Sequence, residues 1–186
     1  VLKVTNTLDE LFIQEDIDTI TVKVIPDVNT KFEIDQINRG DIAATTRVWA
    51  SNVDGYEATA VAIANNASVD VQGNVGGSNW QGNWGDVSST LNADLQNVTG
   101  KIELTSVAIA NNFSLNVESY GEAVFSSSQF NDGDVSAHLT ANLTGQINDV
   151  TTTAVAIANN ASVQIPHGRT LIGVVEHVTT APVTAF

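Results

Sequence analysis

The side chains able to hold an ion or a ligand are few and scattered. Asn131, Asp132 and Asp134 put three side-chain oxygens into one short turn, the donor type that calcium takes. Glu15, Asp16 and Asp18 do the same nearer the N-terminus. Neither group has the distal bidentate glutamate of a complete calcium loop. The ordinary reading of both is a solvated turn, and the expectation is a chain without a cofactor, calcium being the one open candidate. His138, His167 and His177 show no zinc spacing and no adjoining nucleophile. Serine is plentiful, but no Gly-x-Ser-x-Gly elbow occurs. These features predict a chain that is not an enzyme. Trp49, Trp80 and Trp84 offer flat apolar rings on which a sugar can stack, or which can pack over loops. Arg39-Gly40-Asp41 spells an attachment tripeptide, yet Trp84-Gly85-Asp86 and Asp132-Gly133-Asp134 occupy the same turn elsewhere, so a repeat accounts for it. Asn-x-Ser/Thr sequons begin at Asn66, Asn97, Asn112, Asn142 and Asn160, and the repeat accounts for several of them too.

The elements that position these residues are set by that repeat. Val61–Val69 reads VAIANNASV, returns unchanged at Val155–Val163, and returns with two apolar changes at Val107–Leu115, at offsets of 46 and 48 residues. A fixed period in this range marks stacked supersecondary units. Each unit opens on Asn-x-Gly-Asp at Asn38, Asn83 and Asn131. A strand follows: Val87, Ser89, Leu91, Ala93 and Leu95 share a face, as do Val135, Ala137, Leu139, Ala141 and Leu143, and Ile42, Ala44, Thr46, Val48 and Ala50. Gly55, Gly100 and Gly145 then mark turns. In the repeated stretch, alternation carried through the Asn pair puts Val61, Ile63, Asn65, Ala67, Val69 and Val71 on one face. Asn65, Asn111 and Asn159 would then point where the aliphatic residues point. Stacked in register, they can satisfy one another as a ladder. The competing reading makes Asn-Asn a turn at which the alternation breaks.

Residues 1–37 stand outside the repeats. Lys31–Ile37 suits a strand, and Leu8–Ile13 suits a strand or a helical turn. Thr19, Ile20, Thr21, Val22, Lys23, Val24 and Ile25 form an alternating strand, which Pro26 and Asp27 end. That strand either caps the array or pairs with a neighbouring subunit. The three-repeat domain spans 38–167, divided 38–82, 83–130 and 131–167, and a C-terminal strand and tail fill 168–186. Gly73–Gly82 and Gly121–Phe130 read as loops or irregular arcs. The expected fold is all-β, a solenoid-like stack with about two coils per repeat. The alternative is an antiparallel β-sandwich or meander with two long strands per repeat.

Composition sets the company the chain can keep. Its 186 residues carry 21 acidic and 7 basic side chains, a net charge of −14. That excess argues against nucleic acid and anionic membrane surfaces. No apolar run approaches the ~20 residues that span a bilayer, so membrane insertion is not expected. The chain has no cysteine and no methionine and starts Val1-Leu2-Lys3, which suits a secreted protein freed of its leader, or a fragment.

Asn65-x-Ala67-x-Val69 and Asn159-x-Ala161-x-Val163, the latter followed by Gln164, resemble the Asn-x-Ala-x-Val-x-Gln core of curlin repeats. The resemblance takes in curlin-type proteins and the holdfast-anchor proteins of stalked bacteria, which are secreted and build adhesive surface fibres. The repeat here is longer than a curlin unit, Gln164 stands one place early, and Phe113 replaces the alanine of the second copy. The resemblance implies an extracellular structural subunit at the cell surface, adhesive and self-assembling into a filament or layer through strand pairing. Its partners would be further copies of itself and a glycan surface. Two other readings stand beside it: a monomeric carbohydrate-binding or adhesin module, and a viral fibre or capsid-decoration protein.

Overall fold

The computed structural model describes residues 2–6, 9–13, 19–24, 30–118, 123–165 and 171–186. All regular structure among them is β. Three N-terminal strands, β1 (Leu2–Asn6), β2 (Asp9–Ile13) and β3 (Thr19–Val24), precede the stack. Four short strands follow at matching heights: β4 (Thr30–Asn38), β7 (Val75–Asn83), β9 (Ala123–Asn131) and β11 (Leu171–Thr179). Between them run β5 (Ile42–Ser51) and β6 (Asp54–Gln72), then the long β8 (Val87–Glu118) and β10 (Val135–Gln164). β12 (Val183–Ala185) closes the order. No helix among the described residues is long and apolar enough to cross a membrane.

Each turn of the chain forms one coil, and each coil lies directly on the last. Thr30 pairs with Val75, Val75 with Ala123, and Leu171 with Ala123, all in parallel register. The long strands stack likewise, Val61 on Val107 and Val155 on Val107. This makes a solenoid-like stack of two sheets. Successive strands of the short-strand sheet run β11-β9-β7-β4-β1-β2, and those of the other run β12-β10-β8-β6-β3, with β5 also on β8. One repeat is therefore one coil, where two had been expected. The antiparallel alternative is overturned: the repeats pair in parallel, and the antiparallel pairs among the described residues are those of β1 with β2 and β4. The Gly turns fold each coil back on itself, using positive φ at Gly55, Gly100 and Gly145, so that the two arms face each other across the core, as Ser89 Oγ and Ser106 Oγ do at 2.8 Å, rather than pairing as a hairpin.

The stack also reaches beyond the three repeats seen in sequence. β4 and β11 belong to it, and Gly73–Gly82 and Gly121–Phe130, expected as loops, fall largely on strands β7 and β9. Their inward residues explain the error. Along β7 these are Val75, Asn79, Gln81 and Asn83, and along β9 they include Ser127, Gln129 and Asn131. A strand whose inner face is mostly amide and hydroxyl shows no apolar alternation to read.

Packing follows from this path. The first arm of each coil (42–51, 87–96, 135–144) faces the first half of the second arm. Leu91, Leu95, Val98, Ile102 and Leu104 meet there. The short strand faces the second half, where Phe32, Ile34, Val69, Phe113, Leu115 and Phe125 meet. Between the two lies a layer made almost wholly of alanine: Ala62, Ala64, Ala108, Ala110, Ala137 and Ala158, with Val87 and Val135. Phe113 sits between Phe32 and Phe125, its ring centroid 6.0 and 6.3 Å from theirs. Its own coil carries Gly77 where the coils on either side carry those phenylalanines. Large and small residues thus alternate from coil to coil at constant core volume.

The alternation of the repeated stretch departs from expectation. Ala60, Ala62 and Ala64 point inward, and so do Asn65, Ala67, Val69 and Val71. Two adjacent residues, Ala64 and Asn65, face the core, so the parity flips between them. Val61 and Ile63 therefore point outward, and Val61 is 47% exposed. The break is a local kink within a continuous strand, not a turn. Ala110 and Asn111 repeat it one coil on, and because the coils kink at the same place the register survives, Ile63 on Ile109 and Asn65 on Asn111.

Candidate functional site

The kink turns one amide of each coil into the core, where it reaches the facing short strand. Asn65 Nδ2 donates to the Gly82 carbonyl at 3.0 Å and to Asn111 Oδ1 at 2.8 Å. Asn111 Nδ2 donates to the Phe130 carbonyl at 2.8 Å and to Asn159 Oδ1 at 2.7 Å. Asn159 Nδ2 ends the column on the Val178 carbonyl at 3.0 Å and Thr179 Oγ1 at 2.9 Å. Each amide thus bridges the opposite strand and its own counterpart in the next coil. A buried amide left unpaired would cost about 1–3 kcal/mol, and the column meets that need by giving each amide a partner on the facing strand and one in the next coil.

A glutamine column works the same way from the short strands. Gln81 Nε2 reaches Gln36 Oε1 at 2.6 Å and the Asn112 carbonyl at 2.8 Å. Gln129 Nε2 reaches Gln81 Oε1 at 2.6 Å and the Asn160 carbonyl at 2.8 Å. The column stops at Gln129, whose buried Oε1 has no hydrogen-bond partner, and the residue paired with it in β11 is His177. The sequence reading missed these glutamines. Their offsets of 45 and 48 residues carried the signal.

A third column forms the Asn-x-Gly-Asp turns. Asn38 Nδ2 donates to Asn83 Oδ1 and Asn83 Nδ2 to Asn131 Oδ1, both at 2.7 Å. Each amide also donates to the glycine carbonyl of its own turn, Gly40, Gly85 or Gly133, at 2.7 Å. Glycine is required because the turns touch: a Cβ on Gly133 would lie 1.9 Å from the Gly85 carbonyl oxygen. The aspartates stack too, with the backbone N–H of Asp86 donating to Asp41 Oδ1 and that of Asp134 to Asp86 Oδ1, both at 3.0 Å.

This arrangement disperses the calcium candidates. Asn131 is fully buried and tied into the turn column, Asp132 accepts from Thr180 Oγ1, and Asp134 is exposed. One belongs to the core and two to the surface. No group of three or more histidine or acidic residues able to hold a metal occurs among the described residues. Glu15, Asp16, Asp18, His167, Ile25, Pro26 and Asp27 lie outside those residues.

The tryptophans divide. Trp80 on β7 and Trp84 in the turn just after it lie together, with ring centroids 5.9 Å apart, closing over Gly82. Phe130 joins them, 5.4 Å from Trp84, and the Arg39 guanidinium lies 5.8 Å from the Trp84 ring. Trp49 is 74% exposed at the far end of β5, where it is paired with Asp94. It is no part of that cluster. The short-strand sheet also carries a shallow trench of about 460 Å³, lined by Lys31, Glu33, Gly76, Gly77, Ser78 and Val124 among others.

The strand Thr19–Val24 pairs with Asn66–Val71 of its own chain, so one of its edges is a cap on coil one. Its other edge pairs with nothing among the described residues. At the opposite end, β12 covers only Val135–Ala137 of β10. The outer edge of β10 beyond the tail is bare among the described residues, apart from the hydrogen bond of the Leu139 N–H to the Phe186 carbonyl.

A family model described as HfaD, holdfast attachment protein D, matches residues 21–175. That match carries the holdfast side of the resemblance drawn from the Asn-x-Ala-x-Val core. The curlin side it does not carry. No curated protein and no solved structure gives a significant match.

Proposed function

The chain belongs to the holdfast attachment protein D family, and from that premise we propose that it is an extracellular adhesive subunit that assembles end to end by pairing exposed strand edges. The family supports holdfast attachment and a place at the cell surface. The observation that carries the finer reading is the pair of strand edges left open at the two ends of the stack among the described residues, β3 at one and β10 beyond β12 at the other. An uncovered edge is a template for another strand. β3 already pairs with the run Asn66-Ala67-Ser68-Val69, and β10 offers the same run at Asn160–Val163. The proposed role needs neither a catalytic group nor a bound ion. Negative-stain electron microscopy tests it. The full chain should form filaments, and a chain lacking residues 1–25 should stay folded and dispersed. Unchanged filaments after that deletion would refute pairing through β3.

One observation favours a second reading, a carbohydrate-binding module. The Trp80–Trp84 pair offers an aromatic ledge, and the strand that carries Trp80 also lines, through Gly76, Gly77 and Ser78, a shallow and largely apolar trench. Titration with neutral β-linked oligosaccharides should quench tryptophan fluorescence, and Trp84→Ala should abolish the response. Quenching of the same size in Trp84→Ala would remove this reading.

A further inference from the structure

The kink at Ala64–Asn65 turns part of the repeated stretch outward, and what it presents there is more regular than the core. Five outward columns of the second arm are identical in all three coils: Thr59/Thr105/Thr153, Val61/Val107/Val155, Ile63/Ile109/Ile157, Asn66/Asn112/Asn160 and Ser68/Ser114/Ser162. Inward, the small and amide columns next to the kink are also constant, Ala62/Ala108/Ala156, Ala64/Ala110/Ala158 and Asn65/Asn111/Asn159, as close packing and the amide ladder require, while the larger core columns vary, Ala67/Phe113/Ala161 and Val69/Leu115/Val163 among them. So do the outward columns elsewhere. Trp49 stacks on Asp94 and Asn142, and Asp35 on Trp80, Ser128 and Glu176. Core packing does not require six β-branched aliphatic side chains on the surface.

We propose that this face is a lateral interface on which a second copy of the chain packs, sheet against sheet. Identical side chains stacked in register give a regular lattice, about 4.8 Å between coils and, on either side of the kink, about 6.8 Å between residues i and i+2. Such a lattice is complementary to itself and can interdigitate as a dry contact between paired sheets. Charge points to the same occupant. In a chain of net charge −14, the five columns contain no ionisable group, and the nearest carboxylates on these strands, Glu57, Glu103 and Asp70, lie just outside them. Two copies can therefore approach here without opposing charges face to face. The Asn column at the margin is already satisfied, Asn112 Nδ2 on Asn66 Oδ1 and Asn160 Nδ2 on Asn112 Oδ1, each at 2.6 Å, so its amides lose little on desolvation.

The size of the face fixes the expected strength. Three coils of about 4.8 Å and nine residue steps of about 3.3 Å give roughly 14 by 30 Å, on the order of 400 Å² from each partner. The total is below the ~1,200 Å² of a stable interface, so one pair of faces should bind weakly. Neighbouring subunits of a filament would multiply the contact. The inference does not rest on the end-to-end pairing proposed above, which uses strand edges rather than this face.

The absence of cysteine makes a direct test possible. Single cysteines are placed at Val107, at the centre of the face, and at Thr140, on the outer side of the first arm. Each full-length variant is treated with a short bis-maleimide at increasing protein concentration. Val107→Cys should give dimers and Thr140→Cys should not. Sedimentation velocity then compares the full chain with Ile109→Lys, whose substitution points outward and should leave the circular dichroism spectrum and melting profile unchanged. The expected result is a dissociation constant raised about tenfold or more, the equivalent of about 1.4 kcal/mol. Equal cross-linking at both cysteines, or equal association of Ile109→Lys and the unsubstituted chain, would overturn the proposal. Loss of filaments on deleting residues 1–25, with cross-linking at Val107→Cys retained, would separate the two assembly modes.

Discussion

Asn111 and Asn112 are the same residue type, adjacent in one strand, on opposite sides of the sheet, and replacing each by leucine should have very different consequences. Asn111 is fully buried. Its loss strands one N–H of Asn65 Nδ2 and Asn159 Oδ1, and removes one donor from the Phe130 carbonyl, whose residue stays paired with both neighbouring strands. Asn159 is only half-buried, so water can replace its lost partner. The Asn65 N–H lies where the stack closes over it. At about 1–3 kcal/mol for that stranded buried group and about 0.5–1.5 kcal/mol for the hydrogen bond lost at Phe130, Asn111→Leu should cost about 1.5–4.5 kcal/mol. Leucine has the same branched shape and is the larger residue, so no cavity adds to this. Asn112 bonds Asn66 and Asn160 across a surface that water reaches, and its leucine variant should cost under about 1 kcal/mol. Urea unfolding of both variants, with midpoints read at equal slope, measures the difference. Against a typical domain stability of about 5–15 kcal/mol, the predicted loss is easily resolved. Equal costs for the two variants, or a cost for Asn111→Leu below about 1 kcal/mol, would refute the reasoning that the inner amides tie the coils to one another and to the facing strand.

Three further outcomes follow from the same geometry. Gly133→Ala places a methyl 1.9 Å from the Gly85 carbonyl oxygen and should cost about 1–3 kcal/mol, whereas Gly40→Ala meets nothing within 4 Å and should be nearly neutral; thermal melts of the pair decide. Phe113→Ala empties the site between Phe32 and Phe125 and should cost about 3–5 kcal/mol in denaturant unfolding. His177→Gln should extend the glutamine column by donating to Gln129 Oε1, and should raise stability by about 1 kcal/mol, seen as a higher urea midpoint.

Much of the fold could be read from the chain, for reasons particular residues make clear. Val87, Leu91 and Leu95 alternate with polar neighbours, and they bury the face that this alternation predicts. The exact return of Val61–Val69 at Val155–Val163 announced a stack. What the sequence concealed lies where apolar periodicity stops reporting orientation. Alanine fills the inward positions at 60, 62 and 64 because the walls approach closely there, and the larger Val61 and Ile63 are turned to the surface. A rule that assigns the larger aliphatic residue to the core reads this segment inside out. β7 and β9 were hidden by the polarity of their inner faces, Asn79 and Gln81 in one and Ser127 and Gln129 in the other. Three tryptophans gave no hint of which two would meet. The coil path decides it, by placing Trp80 and Trp84 on either side of Gly82 and sending Trp49 to another strand.

The central claim, an adhesive surface subunit whose assembly begins at β3, is tested most directly on living cells. The coding sequence would be removed from a producing strain, and attachment to glass under flow would be measured together with antibody labelling of unpermeabilised cells. Labelling of intact wild-type cells and loss of attachment in the deletion strain are expected, with attachment restored by the full chain but not by one lacking residues 1–25. Undiminished attachment without the protein, or full restoration by the shortened chain, would contradict the account.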